Sequence, residues 1–119
     1  MTLLDKQQII DVDDVVYEDI EVEEWGGSVR VRVLTGTERD KWEQECINRT
    51  GPNNKVRIGQ LKVGLLAATL INEEGELLFS QKELTVLNSK SSAVIQRLFK
   101  QVQRVSAIGD EAVDELAKN

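Results

Sequence analysis

The sequence predicts an α+β fold in which an N-terminal antiparallel β-hairpin packs on a mainly helical C-terminal part. Alternating apolar residues on both sides of Gly26-Gly27 predict two strands. Beyond them, apolar residues recur at helical spacing between capping and turn signals. A chain of 119 residues is the size of one domain. The predicted organisation is an acidic arm over 1–14, a domain over 15–109 and an acidic tail or frayed helix over 110–119. Within the domain we expect the hairpin over 15–34 and helices over about 36–48, 58–71, 81–88 and 91–107.

The register of the hairpin follows if Gly26-Gly27 is a two-residue loop. Counting outward from that loop gives the pairs Glu24/Val29, Glu23/Arg30, Val22/Val31, Glu21/Arg32 and Ile20/Val33. One face of the ribbon is then apolar, and the other carries opposite charges across the strands. Trp25 lies at the tip, where few neighbours are available to cover it.

Two capping boxes mark predicted helix starts. Thr35 precedes Glu38 by three residues where the strand pattern stops, and Ser80 precedes Glu83 in the same way. Trp42 and Cys46 are four residues apart and share the predicted buried face of the first of these helices. The strongest turn signal, over 50–54, predicts a loop.

The most apolar stretch, 58–71, predicts a central helix, although a strand over 65–71 stays open because Gly59 and Gly64 weaken helix propensity. The last long helix carries an apolar stripe. Its members are Val94, Ile95, Leu98, Phe99, Val102 and Val105. The arm at 3–12 is either a short helix or a loose segment.

The net charge of −6 is concentrated at the N-terminus, where residues 1–24 contain nine acids and one lysine. Such a chain repels nucleic acid unless its bases are clustered. Four bases do lie in the acid-free span 84–109: Lys90, Arg97, Lys100 and Arg104. This face suits nucleic acid, an acidic protein segment or plain solvation. We favour protein contact or solvation, including contact with the acidic arm of a neighbouring copy, and expect no nucleic acid.

Chemical motifs are missing from the sequence. It has no histidine, and its single cysteine, Cys46, has no imidazole to activate it, so a buried packing role is expected. Asp11, Asp13 and Asp14 lack the spacing of a calcium loop, and the glycines do not form a phosphate loop. We therefore predict no enzyme, cofactor or metal. No signal peptide or membrane span is recognisable, which favours a cytoplasmic protein.

The segment 22–40 resembles the N-terminal pattern of tail assembly chaperones from long-tailed phages. An acidic strand reaches the Trp25-Gly26-Gly27 turn, a Val-Arg-Val-Arg strand follows, and a Thr-Gly-x-Glu-Arg helix start comes next. A looser resemblance extends through the central apolar segment to the last long helix.

The resemblance implies a chaperone in the host bacterial cytoplasm, made late in infection and absent from the mature virion. Its implied partners are the tape measure protein, the major tail tube protein, further copies of itself in a homo-oligomer, and a longer form made by ribosomal frameshifting. Neither nucleic acid nor a membrane is implied.

An apolar groove is the mechanism that the residues allow for holding a helical client. The candidate protein-binding residues are Trp25, Leu98, Phe99, Val102, Arg97 and Arg104. Core packing is the alternative for each apolar member. The competing functions are a structural tail or head–tail connector component, and a small host-directed regulatory or nucleic-acid-binding protein.

Overall fold

A computed structural model describes residues 2–48 and 58–118 of the chain. In this part of the chain the predicted α+β class is confirmed: an N-terminal antiparallel sheet is followed by a mainly helical part. The strands are β1 (Tyr17–Val22), β2 (Gly27–Arg32) and β3 (Leu70–Ile71). The helices are α1 (Lys6–Asp11), α2 (Gly36–Asn48), α3 (Ile58–Thr69), α4 (Leu84–Asn88), α5 (Ser92–Val105) and α6 (Asp110–Lys118). The loop predicted over 50–54 lies outside the described residues.

The sheet has the strand order β1-β2-β3 within the described residues, with antiparallel neighbours. β3 was predicted as the end of a helix over 58–71. The helix instead ends at Thr69, because Leu70 and Ile71 extend to pair with Val31 and Arg30 of β2. The following segment continues outward from β3, with Leu78 N–H donating to the Leu70 carbonyl at 3.0 Å.

The predicted hairpin register is wrong by four residues. Ile20 lies opposite Val29 rather than Val33, and Arg30 lies opposite Asp19 rather than Glu23. The reason is the loop. Residues 23–25 form a 3-10 turn that Gly26 closes at φ +78°, with its N–H donating to the Glu23 carbonyl at 3.0 Å. An even shift keeps the side chains that remain in the paired strands on their predicted faces, so the apolar face survives.

The first predicted capping box is formed as expected. Glu38 N–H donates to Thr35 Oγ1 at 3.2 Å, and Thr35 N–H donates to Glu38 Oε1 at 2.9 Å. At the second box, Glu83 Oε1 accepts from Ser80 N–H at 3.0 Å, but α4 begins only at Leu84. The side chain of Gln81 instead bonds the Gly64 carbonyl of α3 at 3.0 Å, which holds the start of the predicted helix over 81–88 in a turn.

The core lies between the sheet, α3 and α5. α3 contacts α2, α4, α5 and β2, and its Leu61, Leu65 and Leu66 are fully buried. The predicted stripe of α5 is confirmed as its buried face, with Val105 partly buried at the end. The core also includes Val22 and Val31 from the sheet, Trp42 and Cys46 from α2, and Ile108 after α5.

A helix lies near each end of the described chain. α1 has a complete capping box between Asp5 and Gln8, yet it contains no buried residue. α6 packs Ala112 and Val113 against the core. No helix among the described residues is both long and apolar enough to cross a membrane.

Candidate partner-binding surface

Trp25 ends the 3-10 turn between β1 and β2. Trp25 keeps 37% of its possible exposure, so the protein covers about two thirds of the residue. The fully exposed Leu3, at 94%, shows what an uncovered apolar residue looks like in this chain. Trp25 therefore offers a partial aromatic surface.

The other predicted apolar contacts form the core of the described fold. Leu98 and Val102 have no exposed surface and Phe99 retains 2%. They face the sheet and α3 because α5 is amphipathic and its apolar stripe has nowhere else to be buried. The three residues thus pack in the core, as the alternative interpretation had it. No client reaches their side chains without opening the fold.

The two candidate arginines of α5 are engaged within the chain. Arg97 donates from Nη1 and Nη2 to the two carboxylate oxygens of Glu24 at 2.8 and 2.9 Å. Arg104 Nη2 donates to Glu18 Oε1 at 2.7 Å. The acids come from the same chain's hairpin, so these two arginines join α5 to β1 and to the turn after it.

These ion pairs alter the acidity of the groups that they join. The hydrogen bond from Arg97 lowers the pKa of Glu24 from 4.5 to about 2. A hydrogen bond from Lys100 to Asp110, 2.9 Å long, likewise lowers the pKa of Asp110. Of the four predicted cations, three therefore already have a carboxylate partner, which weakens the case for a nucleic-acid surface.

A groove that the sequence analysis did not identify lies between α2 and the segment 77–82. Its volume is about 480 Å³. The apolar lining comes from Trp42, Ala68, Leu77 and Phe79. Lys41, Lys82, Glu38 and Glu45 line it as well, together with Ser80 and Gln81. An apolar lining with charges of both signs suits an amphipathic segment of another protein.

Leu77 is the most accessible apolar group of this groove, at 48% exposure. The sequence analysis assigned no binding role to Leu77-Leu78-Phe79. The signal that was available is the run of three large apolar residues directly after the polar Asn72–Glu76 turn, because an edge segment has only one side to bury.

The N-terminal arm presents a second apolar surface. Leu3, Leu4, Ile9 and Ile10 are 94, 53, 61 and 61% exposed. Capping by Asp5 and Gln8 holds α1 in a defined shape although none of its residues is buried. Apolar residues inside an acidic segment were the sequence signal for this surface.

The sequence profile of the phage tail assembly chaperone family matches residues 6–119. The chain belongs to this family. The match spans both the sheet and the helices, so the whole described fold is that of a phage tail assembly chaperone. The role of the family is that of a chaperone of tail assembly and not that of an enzyme.

A solved structure of the bacteriophage HK97 tail assembly chaperone is similar to this phage tail assembly chaperone, with a TM-score of 0.59. The two are 24% identical, and the alignment covers 83% of this chain and 94% of that chain. This likeness supports the fold. No curated protein matches the sequence.

Proposed function

We propose that the chain binds the tape measure protein, keeps it in solution before the tail is built, and helps to recruit tail tube subunits around it. The observation that carries the proposal is the match to the family of phage tail assembly chaperones across residues 6–119. A protein that holds an apolar client needs accessible apolar surface of its own.

The groove beside α2 supplies such a surface. Leu77, Ala68 and Phe79 keep exposed surface in its lining and offer van der Waals contact to an apolar helix face, whereas Trp42 is buried at 2% exposure. Its volume of about 480 Å³ admits only a few side chains. A small contact gives modest affinity, which suits a chaperone that must release its client when the tail forms.

Trp25 and the exposed apolar residues of the arm supplement the groove. Trp25 is the part of the predicted binding set that stays apolar and accessible, since Leu98, Phe99 and Val102 are buried. Several weak contacts on one chain add up when the client is long enough to meet more than one of them.

The same proposal places the protein in the host bacterial cytoplasm, as a homo-oligomer, together with a longer form made by ribosomal frameshifting. It also predicts that the chaperone is absent from the mature virion. Mass spectrometry of purified virions tests the last point, because a structural tail or connector component would be present there. Sequencing the gene tests for a slippery codon run.

Co-expression with the tape measure protein of the same phage tests the central function. We expect the tape measure protein to move from the insoluble to the soluble fraction and to co-purify with the chaperone. No increase in its soluble fraction would overturn the proposed function.

A further inference from the structure

β1 is an outer strand of the sheet, and the hydrogen-bond pattern defines which of its backbone groups point away from β2. Val33 N–H donates to the Val16 carbonyl at 2.9 Å, so Val16 and Val33 form a hydrogen-bonded pair. Such pairs alternate with non-bonded pairs along an antiparallel ladder. The N–H and C=O groups of Tyr17, Asp19 and Glu21 therefore point outward.

No backbone hydrogen bond among the described residues reaches these outward groups. The opposite edge of the sheet differs. There β3 is only two residues long, and the next segment covers it through the Leu78 N–H bond to Leu70 and a bridge between Ile71 and Leu77. Among the described residues, β1 is thus an open edge strand of six residues, and an edge of this kind can pair with another chain.

The charge along this edge determines which kind of strand can pair with it. Residues 7–29 contain eight acids and neither lysine nor arginine. A second copy of β1 placed alongside would bring Glu18, Asp19 and Glu21 next to the same acids, and like charges across strands are destabilising. Glu18 and Asp19 already pair with Arg104 and Arg30 of the same chain, whereas Glu21 forms no ion pair among the described residues. A strand with lysine or arginine at alternate positions would place a cation opposite Glu21.

Exposed apolar side chains at this strand support the same occupant. Val16 and Tyr17 are each 58% exposed where β1 begins, and Trp25 follows its other end. An added strand would cover part of this apolar surface while its backbone meets Tyr17, Asp19 and Glu21.

We propose that the β1 edge binds an extended, cationic segment of a partner protein, which adds to the sheet as a further strand. This site is separate from the groove, because the groove is lined by Leu77 and Phe79, beyond β3 at the other edge. The inference goes beyond the proposed function, and either of the two can fail while the other holds.

The test uses the full chain and a synthetic eight-residue peptide that alternates lysine with threonine or valine. At a free peptide concentration of ten times the Kd, we expect the amide hydrogens of Tyr17, Asp19 and Glu21 to exchange about tenfold more slowly. The amides of Glu18, Ile20 and Val22, which already bond β2, should change little. A matched peptide with glutamate in place of lysine should give no protection.

Two substitutions separate the backbone from the charge. Glu21→Pro removes one outward N–H without removing a bond to β2, since proline is tolerated where an edge N–H faces solvent. Glu21→Gln keeps that N–H and removes the charge. We expect the proline variant to weaken peptide binding about tenfold, as for one lost hydrogen bond, and the glutamine variant to weaken it less.

Equal affinity of the two variants, or equal binding of the glutamate peptide, would overturn the proposal. So would protection of these three amides that rises with protein concentration in the absence of peptide, because this would show pairing between copies of the chain. If the proline variant does not fold, the exchange experiment on the unaltered chain decides alone.

Discussion

Arg97 in α5 and Glu24 in the turn after β1 form a two-bond ion pair across 73 positions of the sequence, with N–O distances of 2.8 and 2.9 Å. The planar guanidinium meets both carboxylate oxygens, so the pair fixes orientation as well as distance. It ties the hairpin loop to the long helix and so defines how the Trp25 turn is presented.

This pair makes the stability of the fold depend on pH at the acidic end. The pKa of Glu24 is about 2 in the folded protein against an ordinary value of 4.5, so the pair's contribution is fully present above pH 4.5. Between pH 4.5 and 2 the unfolded state binds the proton and the folded state does not. The contribution is therefore lost as the pH falls through about 2. We expect the difference in urea midpoint between the unaltered chain and Glu24→Gln to shrink between pH 4.5 and 2. A difference that stays constant over this range would contradict the assigned pair.

The capping box at the start of α2 predicts a local loss of stability. Replacing Thr35 by alanine removes the oxygen that accepts from Glu38 N–H, and we expect the free energy of unfolding to fall by about 1 kcal/mol. Thr37→Ala, at an exposed position two residues later in the first turn of α2, is the matched control and should change little. Urea denaturation measures both, and equal effects would argue against the cap.

Leu98 tests whether the stripe of α5 is core or contact surface. The side chain has no exposed area, so Leu98→Ala should lower the free energy of unfolding by about 2–5 kcal/mol. Val86→Ala, at a position that is 46% exposed on α4, should cost far less. If Leu98→Ala left stability unchanged but reduced client binding, Leu98 would be a binding residue after all.

For the N-terminal arm we expect the opposite result, namely that its removal leaves the stability of the fold nearly unchanged. Deleting residues 2–11 removes α1, which buries no residue, so we expect the free energy of unfolding to change by less than about 0.5 kcal/mol. Deleting residues 110–118 is the contrasting variant. Ala112 and Val113 pack against the core, so we expect this deletion to lower the free energy of unfolding. Thermal denaturation of the two truncated chains checks this, and a large loss on removing the arm would show contacts between α1 and the body.

Local signals in the sequence predicted local structure well. The pairing of Thr35 with Glu38 spans three residues, and the faces of β1 and β2 follow from a period of two, so neither depends on distant parts of the chain. The stripe of α5 likewise needs only helical spacing. These features were predicted because the physical cause and the pattern lie in the same short segment.

The strand register and the contacts between residues far apart in the sequence were not predictable in this way. Gly26-Gly27 suits a two-residue loop, but a 3-10 turn over 23–25 takes up the extra residues and moves the pairing by four. The bonds of Glu24 to Arg97 and of Glu18 to Arg104 join residues that are 73 and 86 positions apart. No spacing in the sequence marks them.

The candidate surface shows the same division. From the sequence we identified Trp25, whose loop position keeps part of the residue exposed. We also assigned Leu98, Phe99 and Val102 to a possible groove, although they lie in the core. The groove beside α2 exists because Leu77 and Phe79 come next to Trp42 only in the folded chain. Its members are too far apart in sequence to have been grouped beforehand.

The most direct test of the proposed chaperone function is co-expression of the tape measure protein with three forms of this chain. These are the unaltered chain, Leu77→Asp in the groove, and Val86→Asp as the control, since the two positions are 48 and 46% exposed. We expect the unaltered chain and Val86→Asp to bring the tape measure protein into the soluble fraction and to co-purify with it, and Leu77→Asp to do so much less. A tape measure protein that stays insoluble with all three would contradict the function, and equal rescue by all three would contradict the groove as its site.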